Sequence, residues 1–348
     1  MERDNGRGSS TDDTRAPRTD RGPEPQGRIR ALDPFRDLDA VVDLIELAFG
    51  EHLDPTGRAT LHRMRRFANA GPLLQWAWAL LGKAVMAPGL VWVRDDRLVG
   101  NVSVRSARGS DGYLIGNVVV HPDHRGQGIA SALMRRAIRV ISRRGARWVG
   151  LEVRAGNSVA RGLYEGLGFR EVGRTHHFFR KAGSSSPVPP PRSDALRRGR
   201  RDDADALVDL METVIPEEQR PLLEARAADY RPGWARRLEH WLRWEDEVWS
   251  VLPEDGRLEG ALRLVRKRGD FPHQMELLIR SECEADLAVD LVRAGLGSLG
   301  RASGEAAELS LPRVGESLAP ALEEEGFEAL RVLIQMRRDL RQKVSVRG

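Results

Sequence analysis

One cysteine, Cys283, stands among 348 residues. A lone thiol excludes a disulfide framework within one chain and any multi-cysteine zinc site, and it fits a reducing cytosol. Long apolar runs are missing too. A membrane-spanning helix needs roughly 18–20 unbroken apolar residues, and the nearest candidate, residues 72–93, is interrupted by Gln75, Gly82, Lys83 and Pro88. The chain is polar and charged from Glu2 onward, without the apolar core of a secretory signal. The expected location is cytoplasmic, with no membrane partner. No Gly-Lys-Ser/Thr is present, so the phosphate loop of nucleotide triphosphatases is excluded. No histidine pair has helical metal-ligand spacing, and no metal is expected.

What is present is an ordinary globular mix, 41% hydrophobic and 31% charged. At roughly 100–200 residues per domain the length implies two domains. Charge is unevenly spread. The net formal charge of +5 divides into −1 for residues 1–26, +11 for 27–181 and −5 for 182–348. The basic first half points to an anionic ligand. GC-rich codon usage accounts for it equally, because 52 of the 56 basic residues are arginine.

Residues 1–26 hold almost no large apolar side chain and are expected to be a disordered tail. The Ser/Pro-rich run within 182–194 reads as a linker. It divides the chain into bodies 27–181 and 195–348. In the first, strands are expected near 27–32, 91–93, 98–104, 113–120, 148–154 and 169–179. Helices are expected near 37–49, 60–85 with a break at Gly71-Pro72, 126–144 and 157–168. Helix 126–144 has an apolar stripe of Ala130, Leu133, Met134, Ala137, Ile138 and Ile141 and an outer face of Arg135, Arg136, Arg139 and Arg143. The second body repeats the order: strand 196–198, helix 203–211, mainly helix 220–242, a hairpin over 247–265, strand 274–279, helix 285–299, strand 307–311, helix 316–325 and strand 329–337. This reads as a diverged internal duplication in an α/β (mixed-sheet) fold.

The informative segment runs from Asn117 through Val118-Val119-Val120-His121-Pro122-Asp123-His124-Arg125-Gly126-Gln127-Gly128-Ile129-Ala130. A strand passes through a short glycine-bearing loop into a long amphipathic helix. The first amides of a helix lack partners and carry partial positive charge, and glycines let an anion approach them. A dinucleotide fingerprint would need a third spaced glycine, where Ala130 or Leu133 stands, and a strand-helix-strand unit near the start of the chain.

This segment resembles motif A of the GNAT superfamily, the acetyl-CoA-dependent N-acetyltransferases, whose Arg/Gln-x-x-Gly-x-Gly/Ala is met by Arg125, Gly128 and Ala130. The run from Leu151-Glu152-Val153-Arg154-Ala155-Gly156-Asn157 to Leu163-Tyr164-Glu165 and Gly168-Phe169 resembles that family's second signature at its spacings. The resemblance spans about residues 27–181 and implies two tandem GNAT-like domains.

By that resemblance the amides of Gly126, Gln127, Gly128, Ile129, Ala130 and Ser131, with Arg125, hold the pyrophosphate of acetyl-CoA. The edge of Val118, Val119 and Val120 pairs with the pantetheine arm and holds the acetyl carbonyl, and Asn157 bonds the pantetheine or thiol end. Tyr164 is implied as the acid that protonates the departing thiolate; packing with Leu163 and Phe169 as a core tyrosine is its other reading. Glu152 matches the position of a general base in the ribosomal-protein alanine N-acetyltransferases, whose Leu-Glu-Val-Arg-Ala-x-Asn run looks like this one. Its other reading is a solvated or salt-bridged strand carboxylate, with Arg154 as the candidate partner of the bridge. The acceptor is expected to be a primary amine of a small molecule or a protein N-terminus. A non-catalytic acyl-CoA-binding sensor is the alternative. Nucleic acid is not an expected partner, because the Arg-rich face of helix 126–144 lacks interleaved aromatics. The chain is expected as a monomer or homodimer.

The second body departs from the pattern. Aligning Gly326-Phe327 with Gly168-Phe169 places Leu322 at Tyr164, Gly315 at Asn157 and Ser310 at Glu152. The turn before its long helix, Ser281-Glu282-Cys283-Glu284, has carboxylates where pyrophosphate would lie. A non-catalytic GNAT-like domain is expected there. The apolar run 72–81 and the tryptophans 234, 241, 244 and 249 are expected to be core.

Overall fold

The computed structural model describes residues 26–50, 53–68, 89–183, 188–233, 245–268, 271–280, 285–299, 305–312 and 318–340. The expectations for residues 1–25, the apolar run 72–81, three of the four tryptophans, Cys283 with its acidic turn and Gly315 lie outside them.

The first body contributes β1 (Arg28–Ala31), α1 (Pro34–Phe49), α2 (Pro55–Ala68), β2 (Gly89–Arg94), β3 (Arg97–Ser106), β4 (Gly112–Val120), α3 (Ile129–Arg143), β5 (Trp148–Arg154), α4 (Ser158–Gly166) and β6 (Arg170–Arg180). The second contributes β7 (Arg197–Arg198), α5 (Ala204–Val214), α6 (Arg220–Leu223), β8 (Asp246–Glu254), β9 (Arg257–Arg266), β10 (His273–Ile279), α7 (Ala285–Ser298), β11 (Ala307–Leu311), α8 (Leu318–Glu324) and β12 (Phe327–Asp339). The duplicated order expected from sequence is observed. The β2–β3 hairpin turns on Asp95 and Asp96, both at positive φ, and β8–β9 turns on Asp255-Gly256 in the same way. Such turns match the right-handed twist of the flanking strands.

Several boundaries differ, and three of the differences have a local cause. The long helix starts at Ile129 rather than 126, because Gly126 and Gly128 have φ of +75° and +77° and cannot belong to it. The helix expected from residue 60 begins at Pro55, capped by Asp54, whose Oδ1 accepts from the Gly57 amide at 2.7 Å. Of the mainly helical stretch expected over 220–242, the described part is one turn of helix to Leu223, ended where Glu224 takes φ of +54°, and a short 3-10 turn at Ala227–Tyr230; residues 234–242 lie outside the described residues.

Among the described residues, twelve strands form one mixed sheet in the order β1-β2-β3-β4-β5-β12-β6-β11-β10-β9-β8-β7. Its centre is an exchange. β12 of the second body lies between β5 and β6 of the first, and β6 lies between β12 and β11 of the second, all antiparallel. The bounds 27–181 and 195–348 mark two stretches of chain, but each stretch completes its sheet with the last strand of the other.

The helices cover both faces. α3 and α4 pack on one face of the first half through Leu133, Met134, Ala137, Ile141, Val149, Leu151 and Phe169. α1 and α2 cover the opposite face through Val41, Val42, Ile45, Leu61, Val91 and Val119. α7 and α8 form the second body's core with Leu262, Met275, Leu309 and Phe327, and α5 packs on its other face with Trp249 and Leu278. Trp249 is thus core, as expected. β12 enters the first of these cores through Ile334 and Met336. Alternation explains the burial: in β5, Val149, Leu151 and Val153 face α3 while Glu152 and Arg154 are exposed on the other side.

Candidate active site

A fork opens between β4 and β5. The two pair in parallel only over Gly112↔Trp148 to Ile115↔Leu151, after which the ladder ends. Beyond it β5 stays paired with β12, and β4 stays paired with β3. Amides of β4 past Ile115 that face the fork have no strand to bond. A bulge marks the same place. Asn101 and Ser103 of β3 oppose Val119 and Gly116, so β4 carries one residue more than its partner there. Asn117 sits in the bulge with φ of +48°, and buried Asn101 holds it by donating from Nδ2 to the Asn117 carbonyl at 2.9 Å. The extra residue reverses which side chains face the core. Ile115, Val118 and Val120 all pack toward α3, while Val119 packs with α1. β10 pairs with β9 without any register shift, so the second body lacks this bulge.

At the mouth of the fork lies the start of α3. Gly128 is its N-cap and supplies no side-chain cap; the first helical bond given to it is from the Ala132 amide at 3.0 Å. The amides of Gly126 to Ser131 are presented as an anion cradle. A Cβ on Gly126 or Gly128 would meet nothing within 4 Å, so the approach is open. Arg125 bends back, its Nε donating to the Val120 carbonyl at 3.3 Å, and Arg94 donates to Gln127 Oε1 at 3.0 Å. Two guanidinium groups therefore flank the cradle. His121 accepts from the Asp123 amide through Nδ1, and its ring lies 5.5 Å from that of His124, tilted by 56°, so both build the turn.

Asn157 caps α4, its Oδ1 accepting from the Ala160 amide at 3.0 Å. That leaves Nδ2 without a partner among the described residues. Tyr164, seven residues on, shares the α4 face toward the core and is 6% exposed. Its ring lies 6.1 Å from Phe169, as the packing reading expects. Its hydroxyl has no hydrogen-bond partner among the described residues, and burial pushes its pKa up to about 12. A phenol in that state keeps its proton throughout the neutral range and is available as a donor. The two readings of Tyr164 are compatible.

Glu152 is the first β5 residue past the fork's last rung. The salt bridge to Arg154 that its other reading allowed is not formed. Arg154 instead reaches Asp54 at the start of α2 at 3.1 Å. Glu152 Oε1 accepts from Gln335 Nε2 of β12 at 2.8 Å. Gln335 Oε1 accepts from Gln219 Nε2 at 2.9 Å, and Gln219 also donates to the Arg174 carbonyl at 3.1 Å. Neither glutamine was a candidate from sequence: both belong to the second body, and no local pattern marks them.

Of the two adjacent histidines of β6, His177 bonds Glu308 of β11 at 2.9 Å, and Glu308 also accepts from Arg331 and from Thr56. Burial opposes ionisation of Glu308, but these partners together hold its carboxyl below the usual range. This cluster ties α2 to the second body. Burial lowers the pKa of His176. No group of three or more potential metal ligands occurs among the described residues. No helix among them is long and apolar enough to cross a membrane.

Residues 54–169 match the family model of the Acetyltransferase (GNAT) family. An 80-residue stretch is 36% identical to the [Ribosomal protein bS18]-alanine N-acetyltransferase of Escherichia coli strain K12, covering 23% of this chain and 49% of that one. A 99-residue stretch is 30% identical to the putative [ribosomal protein bS18]-alanine N-acetyltransferase of Bacillus subtilis strain 168, covering 28% of this chain and 64% of the relative. The chain spans about half the length of the first of these curated relatives. The fold is shared more widely. A GCN5-related N-acetyltransferase from Sphaerobacter thermophilus superposes with TM-score 0.59 at 18% identity, covering 90% of this chain and 96% of that one. A tandem GNAT protein from the clavulanic acid biosynthesis pathway superposes with TM-score 0.56 at 14% identity, covering 90% and 98%. By these matches residues 54–169 resemble the GNAT family, and the chain as a whole shares its fold with a tandem GNAT protein.

Proposed function

We propose that this chain is an N-acetyltransferase that moves an acetyl group from acetyl-CoA to a primary amine of a small molecule or a protein N-terminus. The observation that carries this reading is the fork between β4 and β5 with an uncapped helix N-terminus at its mouth. The cradle at Gly126–Ser131 suits a pyrophosphate, with Arg125 and Arg94 beside it. The unpaired edge at Val118–Val120 suits the amides of a pantetheine arm, and one edge amide would stabilise the oxyanion as the carbonyl is attacked. Asn157, whose Oδ1 is used by the Ala160 amide, would bond the arm through Nδ2.

In this reading the amine nitrogen attacks the thioester carbon directly; the C–N bond forms and the C–S bond breaks without a covalent enzyme intermediate. Glu152, or a water it orders, takes the proton released from nitrogen. Tyr164 gives its proton to the departing sulfur and recovers one from solvent. The second body is read as non-catalytic. Leu322 replaces Tyr164 and is fully buried, Ser310 replaces Glu152, and the bulge is missing.

The test is a panel of primary amines and peptides with free N-termini, incubated with the full chain and acetyl-CoA and read by thiol release. Acceptor-dependent release supports the enzyme. Binding of acetyl-CoA without release for any amine would leave a non-catalytic sensor.

A further inference from the structure

We propose that Gln335 is a positioning residue for Glu152, so that the second body completes the active site of the first. This rests on the reading of Glu152 as the base. The amide of Gln335 has one orientation available. Gln219 Nε2 donates to the Arg174 carbonyl, so it is a nitrogen that faces Gln335, and the Gln335 atom receiving it at 2.9 Å must be oxygen. Gln335 Nε2 is thereby turned toward Glu152, where it donates to Oε1 at 2.8 Å. Gln335 is 0% exposed and Gln219 1% exposed, so packing fixes both side chains. Glu152 is exposed, and its Oε2 has no partner among the described residues. One carboxylate oxygen is anchored and the other is left to receive a proton.

The backbone is shaped for this relay. Gly173 of β6 lies opposite Gln335, and a Cβ there would fall 2.2 Å from Gln219 Cδ. Only glycine admits Gln219 to the strand surface. The equivalent rung in the second half works differently. Ser310 lies opposite His177, but Ser310 donates to the Met275 carbonyl and His177 is held by Glu308. The amide relay serves the first fork alone.

The experiment compares Glu152→Gln, Gln335→Met and the double variant in the full chain, with the fastest amine of the panel as probe. Gln335→Met keeps side-chain length and removes the donor. The expected result is a fall of about 10- to 100-fold in kcat with the KM for acetyl-CoA within about twofold, the size of a misplaced catalytic group. The double variant should be no slower than Glu152→Gln, because Gln335 acts only through Glu152. A merely structural role would instead multiply the two losses, and that result, or full turnover in Gln335→Met, overturns the proposal. If Gln335→Met does not fold, Gln219→Met leaves the donor but frees its orientation, and a several-fold fall in kcat with the same non-additivity is expected. Full turnover in Glu152→Gln overturns the base reading and this proposal with it. A slow Glu152→Gln beside an unaffected Gln335→Met overturns only the positioning role. No release with any amine in the unaltered chain overturns the enzymatic reading beneath both.

Discussion

Thr175 of β6 lies directly opposite Leu333 of β12, and the two are 158 positions apart in the chain. The same interval separates Glu152 from Ser310, His177 from Gln335 and Tyr164 from Leu322. The Thr175–Leu333 rung is therefore the local pseudo-twofold axis of the duplication. Each body passes its last strand across that axis, and each receives one in return.

The exchange predicts a single cooperative unfolding transition for the full chain. β12 supplies Ile334 and Met336 to the first core, while Phe178 of β6 packs in the second. Neither half can unfold without exposing the other's strand edges. Scanning calorimetry should show one peak with matching calorimetric and van't Hoff enthalpies. Two resolved transitions would contradict it. For the same reason residues 27–181 expressed alone should associate or aggregate through the vacated edges of β5 and β6.

Tyr164→Phe keeps the ring against Phe169 and deletes the hydroxyl. Turnover should fall by roughly 10²–10⁴ if Tyr164 is the general acid, with acetyl-CoA affinity nearly unchanged. Full turnover would return Tyr164 to the core alone. There is also a stability signature. Burial raises its pKa in the folded chain from 10.0 to about 12. That contribution is fully present below about pH 10 and is lost as pH rises through about 12. The stability difference between wild type and Tyr164→Phe should be flat at neutral pH and change in that alkaline window, as read by denaturant melts.

Gly128→Glu should abolish acetyl-CoA binding. The carboxylate would enter open space beside the unpaired amides of α3 and compete for the cradle. Its backbone at φ of +77° adds strain of about 1–2 kcal/mol for any side chain. Gly128→Ala carries the same strain without the charge, so calorimetric titration of both separates the two effects. Retained affinity in Gly128→Glu would place the pyrophosphate elsewhere.

Leu322→Ala, at the counterpart of Tyr164, should act on stability alone. The side chain is fully buried in the second core. Its loss should cost about 2–5 kcal/mol. Turnover per folded molecule, measured well below the melting temperature, should stay within about twofold of wild type. A large fall in kcat at retained fold would give the second body's own counterpart of the site a chemical role that Ser310 and Leu322 do not suggest.

The local parts of this protein were readable along the chain. The apolar stripe from Leu133 to Ile141 specifies α3, the glycines at 126 and 128 specify an open turn before it, and Asn157 with Gly168 brackets α4. These depend on side-chain period, capping and φ, which act over a few residues. The agreement of Trp148–Arg154 with its expected strand has the same origin. The bulge at Asn117 was not readable, because it needs a partner strand one residue shorter and the amide of Asn101 to hold it. The exchange of β6 and β12 was not readable either. Both strands carry the same alternation whichever sheet they join, and only the packing of two bodies through one rung makes the exchange the arrangement that leaves no edge at the centre. The partner of Glu152 follows from that choice. Its neighbour in sequence, Arg154, was taken by Asp54, and a glutamine 183 residues away came to hold it instead. Residues adjacent in the chain share a strand, but which side chains meet across strands is set by register, and register here was decided between the two bodies.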